Sequence, residues 1–313
     1  MRGDVGGMRP ERRVPGQRPA PVPEALAGAE FRYADARAAG VTKDRLRGRS
    51  YRRLHRGVYV ERRRPDDDEL RIRAWMLALP ADAALYGATA AVWYGLPVAA
   101  PPLVQVIVPP GTVPRRRPGL EPHEGLAADD VTVHRGVRVT TPERTWLDLS
   151  LTLGDADLVI AGDAMVRQGL TTPQRLVEAA DVAWRRRRIV RARSLARLVR
   201  SRVDSPQETR LRLILTGHGG LPEPLINPDV ADEHGGWIGR PDLAYVDARV
   251  AIQYEGDVHR TKKRWRSDIA RDEVMRDHGW EVIRVTADDL SHRGRLCDRI
   301  RRAIARPRRS SRS

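Results

Sequence analysis

The stretch RPDLAYVDARVAIQYEGD, residues 240–257, constrains the fold most. Two apolar runs of strand length flank a turn centred on Asp247 and Ala248, which predicts an antiparallel hairpin. That centre sets Asp242 opposite Gln253 or Tyr254, with directly opposed side chains about 5 Å apart. Alternation along the second strand places Ala251, Gln253 and Glu255 on one face and Val250, Ile252 and Tyr254 on the other. Asp242, Gln253 and Glu255 are therefore expected to converge on one small volume.

The flanking segments extend this hairpin into a domain. In SRVDSPQETRLRLILTGHGG a helix starts cleanly: Ser205 can cap it, Pro206 suits the first turn, and Glu208 stands three residues after the cap. Glu208 has two readings, a capping-box carboxylate or a group turned toward the sheet on the face of Leu211 and Leu215. LINPDV reads as a strand before the hairpin. After it come a helix through TKKRWRSDIARDEVMRDHG, a strand WEVIRVT and a helix DDLSHRGRLCDRIRRAIA. The order α-β-β-β-α-β-α predicts an antiparallel meander followed by a parallel crossover.

Toward the N-terminus, residues 1–25 are rich in Gly, Pro and Arg and read as a flexible basic tail, as do residues 307–313. From Glu24 to Gly40 a helix is expected. VTKDRLRGRS follows as a short helix with Thr42 as N-cap and Gly48 as its stop, and YRRLHRGVYVERR alternates as a strand. Helix, short helix and strand within forty residues outline a winged helix-turn-helix over 26–65, whose second helix would enter the major groove. Arg45, Arg47, Arg49, Arg52 and Arg53 are placed to touch DNA, the alternative being a solvated face of an Arg-rich chain.

Charge favours a polyanionic partner: 57 Lys plus Arg stand against 41 Asp plus Glu, a net +16 over 313 residues. The cations are nearly all arginines, whose planar guanidinium suits phosphate. One cysteine, Cys297, excludes an intrachain disulfide and a thiolate metal cluster. With no apolar run of membrane-spanning length, no membrane partner is expected, and a cytoplasmic location is.

Residues 66–165 read as a mixed α/β region. Arg144 and Asp148, four apart in TPERTWLDLS, are expected to pair along a helix while Trp146, Leu147 and Leu149 pack. Residues 166–203 read as a helical Arg-rich linker whose four arginines at 185–188 are either a solvated face or a phosphate-tracking surface.

GVYV at 57–60, ATAAVWYGL at 88–96 and VTTPERTWLDLS at 139–150 resemble the matching blocks of the AbiEi-like regulators, antitoxin components of type IV toxin–antitoxin systems, over residues 30 to about 165. Residues 204–306 resemble a second family, the very short patch repair endonuclease-like branch of the PD-(D/E)XK superfamily. The resemblance rests on SPQET (205–209), GLPEP (220–224), RPDLAY (240–245), EGDVHR (255–260), DIARD (268–272) and GWEVIRVT (279–286).

The second resemblance implies a restriction-endonuclease-like domain, a mixed β-sheet flanked by helices, completing a multi-domain α/β (α+β) chain. It also implies phosphodiester hydrolysis with Mg²⁺ or Mn²⁺, since such ions take oxygen ligands and activate water. Asp242 would be the central ligand, with Glu255, Glu208 and the Tyr254 carbonyl as partners. Gln253 stands where relatives commonly carry Glu, and His259 would serve as general acid or base. Arg260, Lys262, Lys263, Arg264 and Arg266 would face phosphate. The resulting expectation is a metal-dependent endonuclease acting on double-stranded DNA, with a toxin partner or homodimer left open. Its rival is a DNA-binding regulator or antitoxin-like protein that has lost catalysis.

Overall fold

In the N-terminal unit, short elements close on one small core. The computed structural model describes residues 21–112, 116–184, 186–256 and 272–306. Leu26, Phe31, Ala36, Val41, Leu46 and Tyr51 form that core, and Val22 packs against it from within the segment expected as tail. The elements are β1 (Phe31–Arg32), α1 (Tyr33–Ala38), α2 (Lys43–Leu46), β2 (Tyr51–His55) and β3 (Val58–Glu61), with the strands in the order β1-β3-β2. Thr42 caps α2 as expected, its hydroxyl accepting from the Arg45 amide at 3.3 Å.

Two expectations change here. The helix expected from Glu24 to Gly40 is broken into a 3-10 turn (Glu24–Leu26) and α1, because Gly28 takes φ +72° and Phe31 pairs with Tyr59 in the sheet. The strand expected over YRRLHRGVYVERR is a hairpin: Gly57, at φ +81°, makes the turn between β2 and β3. A left-handed conformation costs glycine nothing at its missing Cβ, so one alternating run can fold back on itself.

Helix α3 (Asp68–Ala78), capped by Asp67, joins this unit to the next. Arg32 Nε donates to the Leu77 carbonyl at 3.0 Å, and His55 stacks on Trp75 with ring centroids 3.7 Å apart. Burial first, and then the Arg117 charge, hold the His55 imidazole below its ordinary value.

The central region has a five-stranded mixed sheet of β4 (Ala84–Leu85), β5 (Val104–Val108), β6 (Leu120–Glu124), β7 (Val131–His134) and β8 (Val137–Thr140), in the order β6-β5-β4-β8-β7. The parallel pairs are β5/β6 and β4/β8. Helices α4 (Gly87–Trp93), α5 (Pro142–Leu149), α6 (Asp155–Arg167), α7 (Pro173–Val182) and α8 (Ile189–Ala196) flank it. The segment expected as a linker joins this core through Leu176, Ala180, Ala192, Leu195 and Val199. Arg144 and Asp148 pair along α5 at 3.0 Å, and Arg186 reaches the same carboxylate at 2.9 Å.

The C-terminal region contains α9 (Pro206–Leu213), prolonged by one π-helical turn (Ile214–His218), then β9 (Leu225–Ile226), β10 (Val230–Ala231), β11 (Trp237–Gly239), β12 (Leu243–Tyr245) and β13 (Val250–Tyr254). Residues 272–277 are helical (α10), followed by β14 (Glu281–Val285), α11 (Ala287–Ser291) and α12 (Arg293–Ala305). The sheet order is β14-β13-β12-β9, with β13 and β14 parallel and the other pairs antiparallel. Asn227 at φ +45° ends β9, so LINPDV supplies two strands rather than one.

On one face of this sheet Leu211, Leu215, Leu296 and Ile300 of α9, its π-helical turn and α12 pack against Val250 and Ile252. On the other, Met275 of α10, Trp280 and Ile238 of β11 cover Ala244 and Ala251. The whole is a multi-domain α+β architecture with mixed sheets flanked by helices. Among the described residues no helix is long and apolar enough to cross a membrane.

A buried polar cluster joins α6 to α9. Asp163 Oδ2 accepts from Thr209 Oγ1 at 2.7 Å and Arg212 Nη2 at 3.3 Å, while Oδ1 accepts from the Arg200 amide at 2.7 Å. Arg212 also donates to the Leu198 carbonyl at 2.8 Å and to Glu223 at 3.0 Å. Burial pushes the Asp163 carboxyl above its ordinary value, opposed most by the Arg212 charge.

Candidate functional site

The hairpin of β12 and β13 has the expected register. Leu243 lies opposite Ile252 and Tyr245 opposite Val250, so Asp242 falls opposite Gln253. Asp242 Oδ2 accepts from the Tyr254 amide at 2.7 Å, and its carbonyl accepts from the Asn227 amide at 2.9 Å. The predicted faces also hold, with Val250 and Ile252 in one core cluster and Ala251 in the other.

Among the described residues the carboxylates make separate contacts rather than one metal-holding group. Glu208 sits on α9, which covers the Val250 and Ile252 face, whereas Gln253 and Glu255 alternate with those residues. Its Oε2 accepts from the Asp204 amide at 2.9 Å and from Asn227 Nδ2 at 2.7 Å, and the residue is buried. The carboxylate therefore reaches back past the Ser205 cap and ties the start of α9 to the loop after β9.

Glu255 is neutralised from within the chain. Arg284 on β14 stands in register with Gln253. Its Nη1 donates to Glu255, while Nε and Nη2 lie 2.8 and 2.7 Å from Asp272 Oδ2. Asp272 is 1% exposed, so a planar guanidinium bridges two acids on the face where a divalent ion was expected.

This arrangement corrects the expectation of a magnesium-dependent nuclease, a hydrolase built on Asp242, Glu255 and Glu208. Among the described residues no group of three or more His, Cys, Asp or Glu side chains could hold a metal ion. Among the described residues, Asp242 accepts from a strand amide, Glu255 from a guanidinium and Glu208 from the start of α9. His259, and the phosphate-facing set Arg260, Lys262, Lys263, Arg264 and Arg266, lie outside the described residues. A signal for Arg284 existed in the sequence: β14 must pair with β13 in parallel, which brings an arginine of WEVIRVT beside QYE.

The second candidate surface is the winged unit. Arg47, Arg49 and Arg53 are exposed. Arg47 makes only a loose pair with Asp44 at 3.5 Å, and Arg53 Nε donates to the His55 carbonyl at 3.0 Å. Arg45 is half-buried and donates to the Pro21 carbonyl. Arg52 is held by Asp66 at 2.8 Å and the Arg64 carbonyl at 2.9 Å, which ties β2 to the approach to α3. Exposed cations outside the expected set include Lys43 on α2, Arg56 in the hairpin turn, and Arg62 and Arg63 just beyond β3. The signal for Arg56 was Gly57, a glycine interrupting an alternating run.

Residues 81–198 match the family model described as the AbiEi antitoxin C-terminal domain. The match starts after the winged unit and extends through α8, past the limit near residue 165 expected from the sequence blocks. Over 201 residues the chain is 30% identical to the uncharacterized protein Rv2248 of Mycobacterium tuberculosis (strain H37Rv), covering 64% of this chain and 73% of that one. The same values hold for the uncharacterized protein MT2308 of strain CDC 1551. Among solved structures, the crystal structure of the RV2827C protein from Mycobacterium tuberculosis aligns with a TM-score of 0.38 at 18% identity, over 58% of this chain and 75% of that one. The chain thus belongs to the family of Rv2248 and MT2308, and its residues 81–198 form an AbiEi-type antitoxin domain.

Proposed function

We propose that this protein is a DNA-binding regulator of the antitoxin type, whose winged unit contacts duplex DNA and whose C-terminal domain serves as a non-cleaving scaffold. The observation that carries the reading is a capped short helix and a two-stranded wing that expose Arg47, Arg49, Arg53, Arg56 and Arg63, joined by α3 to an AbiEi-type domain. Helix α2 buries Leu46 in the small core, which leaves Arg47 at its end exposed to solvent. The net charge of +16 adds long-range attraction for a polyanion.

For the C-terminal domain the strand order and the Asp242 position support descent from a PD-(D/E)XK-type fold. Its acidic positions now serve the fold itself, Asp242 on the hairpin amide, Glu255 on Arg284 and Glu208 on the helix start. A toxin partner is consistent with the antitoxin domain and belongs to the same proposal.

The test is fluorescence anisotropy on a labelled random duplex pool across a salt series, comparing the native chain with Arg47→Ala, Arg53→Ala and Arg56→Ala. Each phosphate contact removed is expected to lower the slope of log K against log salt by about 0.9. Absence of duplex binding at low salt, or variants that bind like the native chain, would remove the reading.

A further inference from the structure

We propose that a cleft in the C-terminal domain, walled by α9, its π-helical turn, α11 and the start of α12, binds a nucleoside monophosphate. Its volume is about 490 Å³, within the range of small-molecule sites. It opens beside Tyr254, the last residue of β13, and Ala287, two residues beyond the end of β14. Tyr254 pairs with Val285, so both chains of this parallel pair leave the sheet here. Crevices outside the carboxyl ends of parallel strands are where open α/β sheets take their ligands. Tyr254 alternates with Gln253, so the cleft lies on the α9 face and is separate from the bridge between Arg284, Glu255 and Asp272.

Charge and polarity select the ligand. Among the described residues, those lining the cleft carry three basic groups, Arg210, His218 and Arg293, and no carboxylate. Arg210 is shared with Asp157 at 2.6 Å, whereas Arg293 and His218, both exposed, make no ion pair among the described residues. Gln207 also lines the cleft, and its Oε1 is buried with no donor among the described residues. A buried acceptor left unmatched is costly unless a group from outside the chain donates to it. Leu213, Ile214 and Leu290 supply an apolar wall.

A nucleotide meets these features together. A phosphate monoester carries a charge of about −1.5 to −2 at neutral pH, which Arg293, His218 and the shared Arg210 balance, whereas a carboxylate carries a single charge. The planar guanidinium of Arg293 matches two phosphate oxygens. The base brings N–H groups for Gln207 and a flat body for the apolar wall. A sugar phosphate lacks that body, and an aliphatic phosphate lacks the N–H donor.

The cationic side of the cleft is held on fixed elements. The Gly219 amide donates to the Ile214 carbonyl at 2.8 Å, closing the π-helical turn, and the Gly219 carbonyl accepts from Arg301 Nη2 at 2.7 Å. A Cβ on Gly219 would stand 2.7 Å from both Cys297 Sγ and the Leu215 carbonyl. Glycine therefore lets α12 close against the turn that carries His218. Single π-helical turns within α-helices are frequent at functional sites.

The test is isothermal titration calorimetry on the full chain with AMP, GMP, CMP and UMP, and with adenosine, inorganic phosphate and benzoate as controls. At least one nucleotide is expected to bind saturably, at least tenfold tighter than any control. Arg293→Gln with His218→Gln is expected to weaken it at least tenfold, with the melting temperature and duplex anisotropy unchanged. Gln207→Leu is expected to weaken it without lowering the melting temperature. Absence of binding by all four nucleotides overturns the proposal, as does a control that binds as tightly or a double variant that binds like the native chain. So does displacement of the nucleotide by an unphosphorylated duplex, because these cations would then belong to a duplex-binding surface. Loss of duplex binding in the wing variants with nucleotide binding intact would remove neither result, which keeps this outcome distinct from that of the regulator reading.

Discussion

Replacing Arg212 by Met tests whether the C-terminal domain is locked onto the antitoxin domain. Both side chains of the Arg212–Asp163 pair are essentially buried, at 1% and 2% exposure. Breaking such a pair costs about 3–5 kcal/mol, because the remaining charge is left in a medium that solvates it poorly. Asp163 would keep two donors, Thr209 Oγ1 and the Arg200 amide, each at 2.7 Å. The cost is therefore expected at the low end, about 3 kcal/mol, or roughly 6–12 °C in melting temperature for a unit of this size.

The loss should also depend on pH with a definite sign. The Asp163 carboxyl is already raised by burial, and removing the opposing Arg212 charge raises it further. A carboxyl raised in the folded state contributes stability that is fully present below its unfolded value, near 3.9, and lost as pH rises through the folded value. Arg212→Met should thus be most damaging at neutral pH and progressively milder on acidification. Urea denaturation across pH, with hydrogen exchange on peptides from α6 and α9, measures both effects. A loss under about 1 kcal/mol at neutral pH, the scale of an exposed pair, would refute the reasoning.

Three further perturbations test the other elements. Gly57→Ala forces a side chain into φ +81°, and since nothing lies within 4 Å of the added Cβ, the cost is the backbone term alone; about 1–2 kcal/mol of wing stability should be lost, read by hydrogen exchange across β2 and β3. Burial holds the His55 imidazole below its ordinary value, so its contribution is present above the unfolded value near 6.5 and lost as pH falls through the depressed folded value. Denaturation at pH 7.5 and 5.5 should show a drop in the native chain that His55→Phe reduces; equal drops would remove the assignment. Glu208→Ala leaves the Asp204 amide and Asn227 Nδ2 without their acceptor; a loss of about 2–3 kcal/mol is expected, with duplex binding by the winged unit unchanged in anisotropy.

Local chemistry was legible in the sequence where it depended on neighbours along the chain. Thr42 and Ser205 cap the helices they precede, and Arg144 pairs with Asp148 one turn later. The turn at Asp247 and Ala248 determined the register of β12 against β13, and with it the position of Asp242 opposite Gln253. These are short-range consequences of helical and strand periodicity, and each requires only a few residues.

The tertiary structure decided what those acids do. Alternation says which residues share a face, but not which face α9 will cover, and α9 covers the one away from Gln253 and Glu255. Nor does it say which cation meets a carboxylate: Arg284 reaches Glu255 only because β14 returns parallel to β13 after a crossover. The same holds for α7 and α8, whose arginine run reads as linker until Leu176, Ala180, Ala192 and Leu195 are seen closing the central core. Sequence alone specified the caps, the β12–β13 hairpin and the acidic positions. Pairing between distant elements then used the acids for the fold, because a buried carboxylate must be neutralised or hydrogen-bonded by whatever group the packing brings to it.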